Sequence, residues 1–319
     1  MKKAELHLHL EGAAPPAFIR GLAREKHVDL SGIFDDLGHY SYADFPGFLR
    51  VYEAATSVIQ TPRDYARLVE TVLDHCAEHG VIYAELFVSP EFCGGADLGA
   101  WRDYLAAMTD TAAALRAQGI DSRGIVTAIR HFGPDRARAS AICAAETAGD
   151  WITGFGMGGD ERVGLATDFA WSFDCAREAG LGLTCHAGEW CGPDSVRQAL
   201  ELGCTRIGHG IGAADDPALM RELADRGTVL EVCPGSNIAL RAVADWANHP
   251  IARLADAGVR VTVSTDDPPF FHTTMTQEYD RLADVFGWGD AEFRQINQWA
   301  AEAAFCDPAT RDRLRKELA

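Results

Sequence analysis

His7 and His9 lie in the run Ala4-Glu5-Leu6-His7-Leu8-His9-Leu10. Side chains alternate along an extended strand. The two imidazoles therefore share one face, and Leu6, Leu8 and Leu10 take the other. Paired neutral imidazoles beside an apolar surface suit a metal site. An edge strand with two surface histidines would show the same spacing, so the rest of the chain must decide. Further on, His186-Ala187-Gly188-Glu189, Arg206-Ile207-Gly208-His209-Gly210 and Ser264-Thr265-Asp266-Asp267-Pro268 each follow or end an apolar run, as does Gly158-Gly159-Asp160-Glu161. His7, His9 and His186 can supply three nitrogens and Asp266 an oxygen, a donor set that fits one Zn²⁺ with an open position. Glu189, three residues past His186, can reach a reacting water without ligating the metal, and a carboxyl with a raised pKa there can move a proton. His209 can orient an attacking hydroxide, and Asp267 can bond a substrate nitrogen. Gly159 exposes a peptide N–H where a flat ring could approach.

These groups need a scaffold that gathers the ends of distant strands. Apolar runs near 4–10, 81–88, 123–130, 152–157, 181–186, 205–209, 227–232 and 259–265 read as eight strands. Helical spacing fills 62–79, 100–117, 135–148, 168–179 and 193–202 between them. Thr61-Pro62 reads as a cap and first turn, and Gly80, Gly180, Gly203 and Gly258 as C-terminal stops. Alternating strands and helices of this number predict a (β/α)₈ TIM barrel, which collects chemistry at the C-terminal strand ends. An open doubly wound sheet is the alternative, but its glycine-rich first turn is missing. The segment 27–60, rich in aromatics, is a helical insertion after strand one. It reads either as a lid over the barrel mouth or as a hairpin packed on its side. No repeat or linker divides residues 1–319, which predicts one domain.

Composition excludes several classes. The 319 residues carry a formal net charge of −18, which argues against nucleic-acid and anionic-membrane partners and for a small-molecule substrate. No run approaches a membrane span. Nine cysteines without a CxxC pair read as reduced thiols of a cytoplasmic protein. Lysine occurs only at Lys2, Lys3, Lys26 and Lys316. A central Schiff-base lysine, a P-loop lysine and a carbamylated lysine bridging two metals are thereby excluded. Cys191 reads as a buried structural thiol rather than a nucleophile.

The motifs HLHLEG, GGDE, HAGE, RIGHG and STDDP, in that order from Glu5 to beyond Asp267, resemble the adenosine deaminase family of the amidohydrolase superfamily. The resemblance implies a barrel with one zinc, held by His7, His9, His186 and Asp266. It further implies that Glu189 protonates purine N1, that His209 and Asp267 position the hydroxide, and that Asp267 also bonds N7. Gly159 would bond N3, and Phe48 and Leu49 would cover the purine and sugar. Glu11 stands where many adenosine deaminases carry Asp at a position associated with the ribose. The implied reaction is hydrolytic replacement of the 6-amino group of a 6-aminopurine nucleoside or base. Gly208 and the run Gly192-Pro193-Asp194-Ser195-Val196 favour adenosine and 2′-deoxyadenosine, giving inosine and ammonia. The stretch Cys233-Pro234-Gly235-Ser236-Asn237 resembles the adenine deaminase branch. Free adenine, or a modified nucleoside such as aminodeoxyfutalosine, is the alternative. Pro268-Pro269-Phe270-Phe271 departs from both patterns. A phosphoester-cleaving metal hydrolase would need Arg206 as an inward phosphate clamp.

Overall fold

The computed structural model describes residues 1–319. Eight parallel strands run in sequence order: β1 (Lys3–His9), β2 (Val81–Val88), β3 (Asp121–Ile129), β4 (Ile152–Gly158), β5 (Gly182–Ala187), β6 (Arg206–His209), β7 (Val229–Val232) and β8 (Arg260–Val263). Each expected strand is present, with ends shifted by three residues or fewer. A parallel bridge between Leu8 and Asp266 joins the two edges of the sheet, so the strands close as the predicted (β/α)₈ barrel. His9 N–H donates to the Asp266 carbonyl at 3.0 Å, and Asp266 N–H to the His7 carbonyl at 3.2 Å. The seam of the barrel thus aligns three of the expected ligands.

The five expected helices form at Pro62–Glu78, Leu98–Arg116, Pro134–Glu146, Ala170–Glu178 and Gly192–Glu201. Thr61 caps the first of these in a capping box with Asp64, and Pro62 occupies its opening turn. Helix Pro16–Glu25, before the insertion, is not among the sequence expectations. It is short and carries Gly21, yet Ile19, Leu22 and Ala23 bury one face. Beyond β8, helices Met275–Phe286, Asp290–Ala303 and Pro308–Glu317 follow. Ala300, Ala301, Ala304 and Leu314 join Leu6 and Tyr83 in a small apolar cluster separate from the main core. No helix is long and apolar enough to cross a membrane.

Inside the barrel, Arg206 points inward but is already committed. Its guanidinium bonds Glu85 at 2.5 Å and Glu231 at 2.6 Å, and it stacks over Phe305 at 3.7 Å. It therefore neutralises two buried carboxylates and is not a free phosphate clamp.

Candidate active site

Four atoms converge at the C-terminal end of the barrel. His186 Nε2 lies 3.0 Å from His7 Nε2 and 3.1 Å from His9 Nε2. Asp266 Oδ1 lies 3.4 Å from His7 Nε2 and 3.3 Å from His9 Nε2. Tetrahedral ligands at about 2.0–2.1 Å from a zinc ion stand about 3.3 Å apart, so these spacings fit a four-donor site. Protons cannot satisfy three ring nitrogens that face one another, whereas a shared cation can. His209 also lies in the buried His/Asp cluster. Its Nε2 is farther out, at 3.9 Å from Asp266 Oδ2 and 3.8 Å from Glu189 Oε2, which favours His9 as the ligand.

A second layer of side chains orients these donors. His7 Nδ1 faces Glu231 Oε2 at 2.7 Å, which places its proton there and leaves Nε2 free to ligate. Burial opposes ionisation of Glu231, but Arg206 and His7 outweigh it and hold its pKa at about 2. Ser236 donates to Asp266 Oδ2 at 2.7 Å. A chain of hydrogen bonds sets the His209 tautomer. The Ile251 N–H donates to His249 Nδ1, so His249 Nε2–H donates to Asn237 Oδ1. The Asn237 amide must then present its NH₂ to His209 Nδ1 at 3.2 Å, which leaves the His209 proton on Nε2, facing the site. Burial keeps His209 neutral, with a pKa lowered to about 3. Ser236 and Asn237 belong to the Cys233–Asn237 stretch, which carried no site role in the sequence reading. Glu231 was likewise missed. Hydrogen-bond partners drawn from other strands leave no signal in local spacing.

His209 and Asp266 both adopt left-handed backbone, at φ 60° and 67°. That conformation is uncommon for residues with a β-carbon and recurs where a site over-determines the chain. Glu189 and Asp267 line the same cavity, and one carboxyl oxygen of each is buried without a hydrogen-bond partner. Burial, then Asp266 and Glu161, push the Glu189 pKa well above the ordinary carboxylate range. Burial, Asp266 and Glu189 do the same to Asp267. Two buried carboxyls with free oxygens offer proton transfer and hydrogen bonds to a bound molecule. Gly159, at φ 96°, lies on the cavity wall, and a β-carbon there would come within 2.7 Å of His131 Nδ1. Gly208 is needed for a similar reason: a β-carbon would fall 2.9 Å from His7 Cε1.

Aromatics from the insertion cover the mouth. Helix Phe45–Thr56 places Phe45, Phe48, Leu49 and Tyr52 on the cavity. This part of the 27–60 insertion therefore borders the cavity. Phe48 packs against Phe270 and Phe271 at 5.3 and 5.4 Å, and Phe270 stacks on Tyr40 at 4.0 Å. The unusual Pro268–Phe271 stretch is thus the surface on which the insertion sits. Glu11 lines the cavity beside these aromatics. Its carboxylate accepts from Tyr65 Oη at 3.0 Å and the Ser89 N–H at 3.4 Å, and burial raises its pKa to about 7. No Lys or Arg lines the cavity. Cys191 is exposed, not buried as expected, and is absent from the cavity wall.

The whole chain has recognisable relatives. The family model described as adenosine deaminase matches residues 2–319. An adenine deaminase of Agrobacterium fabrum is 50% identical over 318 residues, covering 99% of this chain and 97% of the relative. Among solved structures, an adenine deaminase from Arthrobacter aurescens superposes with a TM-score of 0.90 at 28% identity, covering 99% of this chain and 97% of the other. An amidohydrolase from Burkholderia ambifaria, with bound Zn, gives 0.89 at 27% identity, covering 100% and 89%. The buried His/Asp cluster at the end of this barrel offers donors that could hold a metal ion. A family match across all but the first residue, with half the positions shared by a full-length relative, places this chain in the adenosine deaminase family, as a hydrolytic deaminase of the amidohydrolase superfamily.

Proposed function

We propose that this chain is a zinc-dependent adenine deaminase, converting free adenine and water to hypoxanthine and ammonia. The alternative expected from sequence, the free base, thereby replaces adenosine as the preferred substrate. The observation that carries it is Glu11. Glu11 lines the cavity at the position associated with the ribose, but its Oε1 is already taken by Tyr65 Oη and the Ser89 N–H. Phe48, Tyr52 and Phe270 close in over the same side, with Tyr52 and Phe270 centroids 5.9 Å apart. The cavity suits a flat, uncharged ring, and its carboxyl-rich wall without Lys or Arg opposes a nucleotide phosphate. The Agrobacterium and Arthrobacter relatives, both named adenine deaminase, support the reading.

His7, His9, His186 and Asp266 would hold the zinc. When bound, the ion lowers the pKa of a coordinated water and so supplies the nucleophile near neutral pH. Water adds across the C6–N1 double bond, its oxygen to C6. Glu189 delivers a proton to N1, for which its raised pKa keeps it protonated. His209 directs its Nε2–H at the oxygen that develops charge, and Asp267 holds both that oxygen and N7. The peptide N–H of Gly159 meets N3, and Phe48 and Leu49 cover the ring. The C6–NH₂ bond then breaks, the nitrogen leaving with the electron pair and the proton of the new C6 hydroxyl as ammonia, while the proton lost by the attacking water restores Glu189.

Steady-state turnover of adenine, adenosine and 2′-deoxyadenosine by the zinc-loaded protein tests this. The kcat/KM for adenine is expected to exceed that for either nucleoside by about 100-fold or more, because a closed sugar site rejects the ribose outright. Equal or better turnover of adenosine would return the chain to the nucleoside deaminases.

A further inference from the structure

Glu161 is fully enclosed, with 2% of its surface exposed, and has no Lys or Arg within ion-pair distance. Its two oxygens are instead filled by four donors, three from the loop after β5 and one from the helix Gly192–Glu201 that follows it. Oε1 accepts from the Gly188 N–H at 2.5 Å and from the Ser195 hydroxyl. Oε2 accepts from the Trp190 N–H at 2.6 Å and the Cys191 N–H at 3.2 Å. The donors bracket Glu189, and the Trp190 N–H belongs to the very peptide unit that holds the Glu189 carbonyl. Arg130 in turn anchors the Glu161 loop, donating to the carbonyls of Val163 and Gly164 at 2.9 Å each.

The Glu189 side chain has no comparable support. Its Oε1 is buried and unpartnered, and its nearest basic nitrogen, His209 Nε2, is 3.8 Å from Oε2. The aim of that carboxyl is therefore set from its backbone. Gly188, at φ 71°, makes the turn possible, but a glycine adds freedom rather than rigidity. A buried carboxylate gripping peptide N–H groups on both sides supplies the rigidity.

We propose that Glu161 is a positioning residue for the deamination, which clamps the Gly188–Cys191 loop so that the Glu189 carboxyl meets the ring nitrogen it protonates. The inference rests on Glu189 being the proton donor. It predicts that Glu161 acts through Glu189 alone and leaves the metal and the base-binding walls unaltered.

Four proteins decide it: wild type, Glu161→Ala, Glu189→Gln and the double variant, each zinc-loaded and assayed with adenine. Glu161→Ala is expected to lower kcat by about 100-fold, the usual effect of misplacing a catalytic group by about 1 Å. Its KM and bound zinc, measured by elemental analysis, should stay within about threefold of wild type, as for a group felt only in the transition state. In the Glu189→Gln background the same change should cost less than about threefold, since the group it aims is already disabled. Should Glu161→Ala fail to fold, Ser195→Ala removes one of the four bonds and should show the same split at about a tenth of the size. Loss of zinc, a KM rise matching the kcat fall, wild-type kcat, or an equal loss in both backgrounds would each overturn the proposal. An active Glu189→Gln enzyme would instead sink the assignment of Glu189 itself.

Discussion

The chemistry rests on donors whose directions are set by their neighbours. The four candidate ligands could be grouped from sequence because each sits at a strand end, where period-two alternation and barrel geometry point side chains to one rim. What holds them could not be read that way. Glu231 steers His7, Ser236 steers Asp266, and Asn237 with His249 sets the His209 proton, all through contacts between residues far apart in sequence. Gly12 shows how tightly the site is built. A β-carbon there would fall inside the Asp267 carboxylate and within 2.8 Å of the Tyr52 ring. Gly12→Ala is thus expected to displace Asp267, lowering adenine kcat/KM by about 100-fold while the far-ultraviolet circular dichroism stays that of wild type. Unchanged kinetics would mean that Asp267 is not held where the reaction needs it.

At the scale of elements, the insertion after β1 matters most. Asp44 caps helix Phe45–Thr56, accepting from the Gly47 N–H at 2.7 Å, and so fixes where its aromatic face begins. Phe45 reaches Trp190 at 5.3 Å, and Arg162 lies over both rings at 5.2 and 5.7 Å, which ties the helix to the loop bearing Glu189. Glu53 pairs with His131 across the mouth at 3.3 Å. In the proposed function Phe48, which lines the cavity, would supply the apolar contact with the base. Phe48→Ala should raise the KM for adenine about tenfold or more, with a smaller change in kcat, because an uncovered ring loses burial in ground and transition states alike. A kcat loss with KM unchanged would count against this covering role. The aromatic richness of 27–60 was visible in the sequence. Its place at the mouth was not, since Tyr40, Tyr42 and Phe48 find Phe270 only after the barrel closes. Helix Pro16–Glu25 and the helices after Pro268 were not among the expectations, although their buried faces recur at helical spacing, as Phe293, Ile296, Ala300 and Ala301 do.

At the scale of the molecule, the barrel buries carboxyls that answer to pH as a whole-fold property. Glu278, on helix Met275–Phe286, accepts from the Gly235 N–H at 3.0 Å and from Thr273 Oγ1 at 2.5 Å. Burial raises its pKa from 4.5 to about 7. Between those values the folded chain binds more protons than the unfolded one. The stability this group supplies is therefore complete below about pH 4.5 and lost as pH rises through about 7, with an amplitude of roughly 3 kcal/mol. Urea unfolding of wild type and Glu278→Gln from pH 4.5 to 8 measures it. The wild type should lose stability relative to the variant as pH rises, and parallel profiles would refute the assignment.

The sequence by itself determined the eight-strand alternation, through local periodicity, and the reaction class, through motifs that resemble a known family; it also offered four candidate metal donors at strand ends. Tertiary structure decided which carboxyls are free and which are spent. Glu189 and Asp267 keep open oxygens, whereas Glu161 and Glu231 have both oxygens taken by partners from other elements. A carboxylate's role depends on what desolvates it and what donates to it, and those neighbours exist only when the barrel is closed.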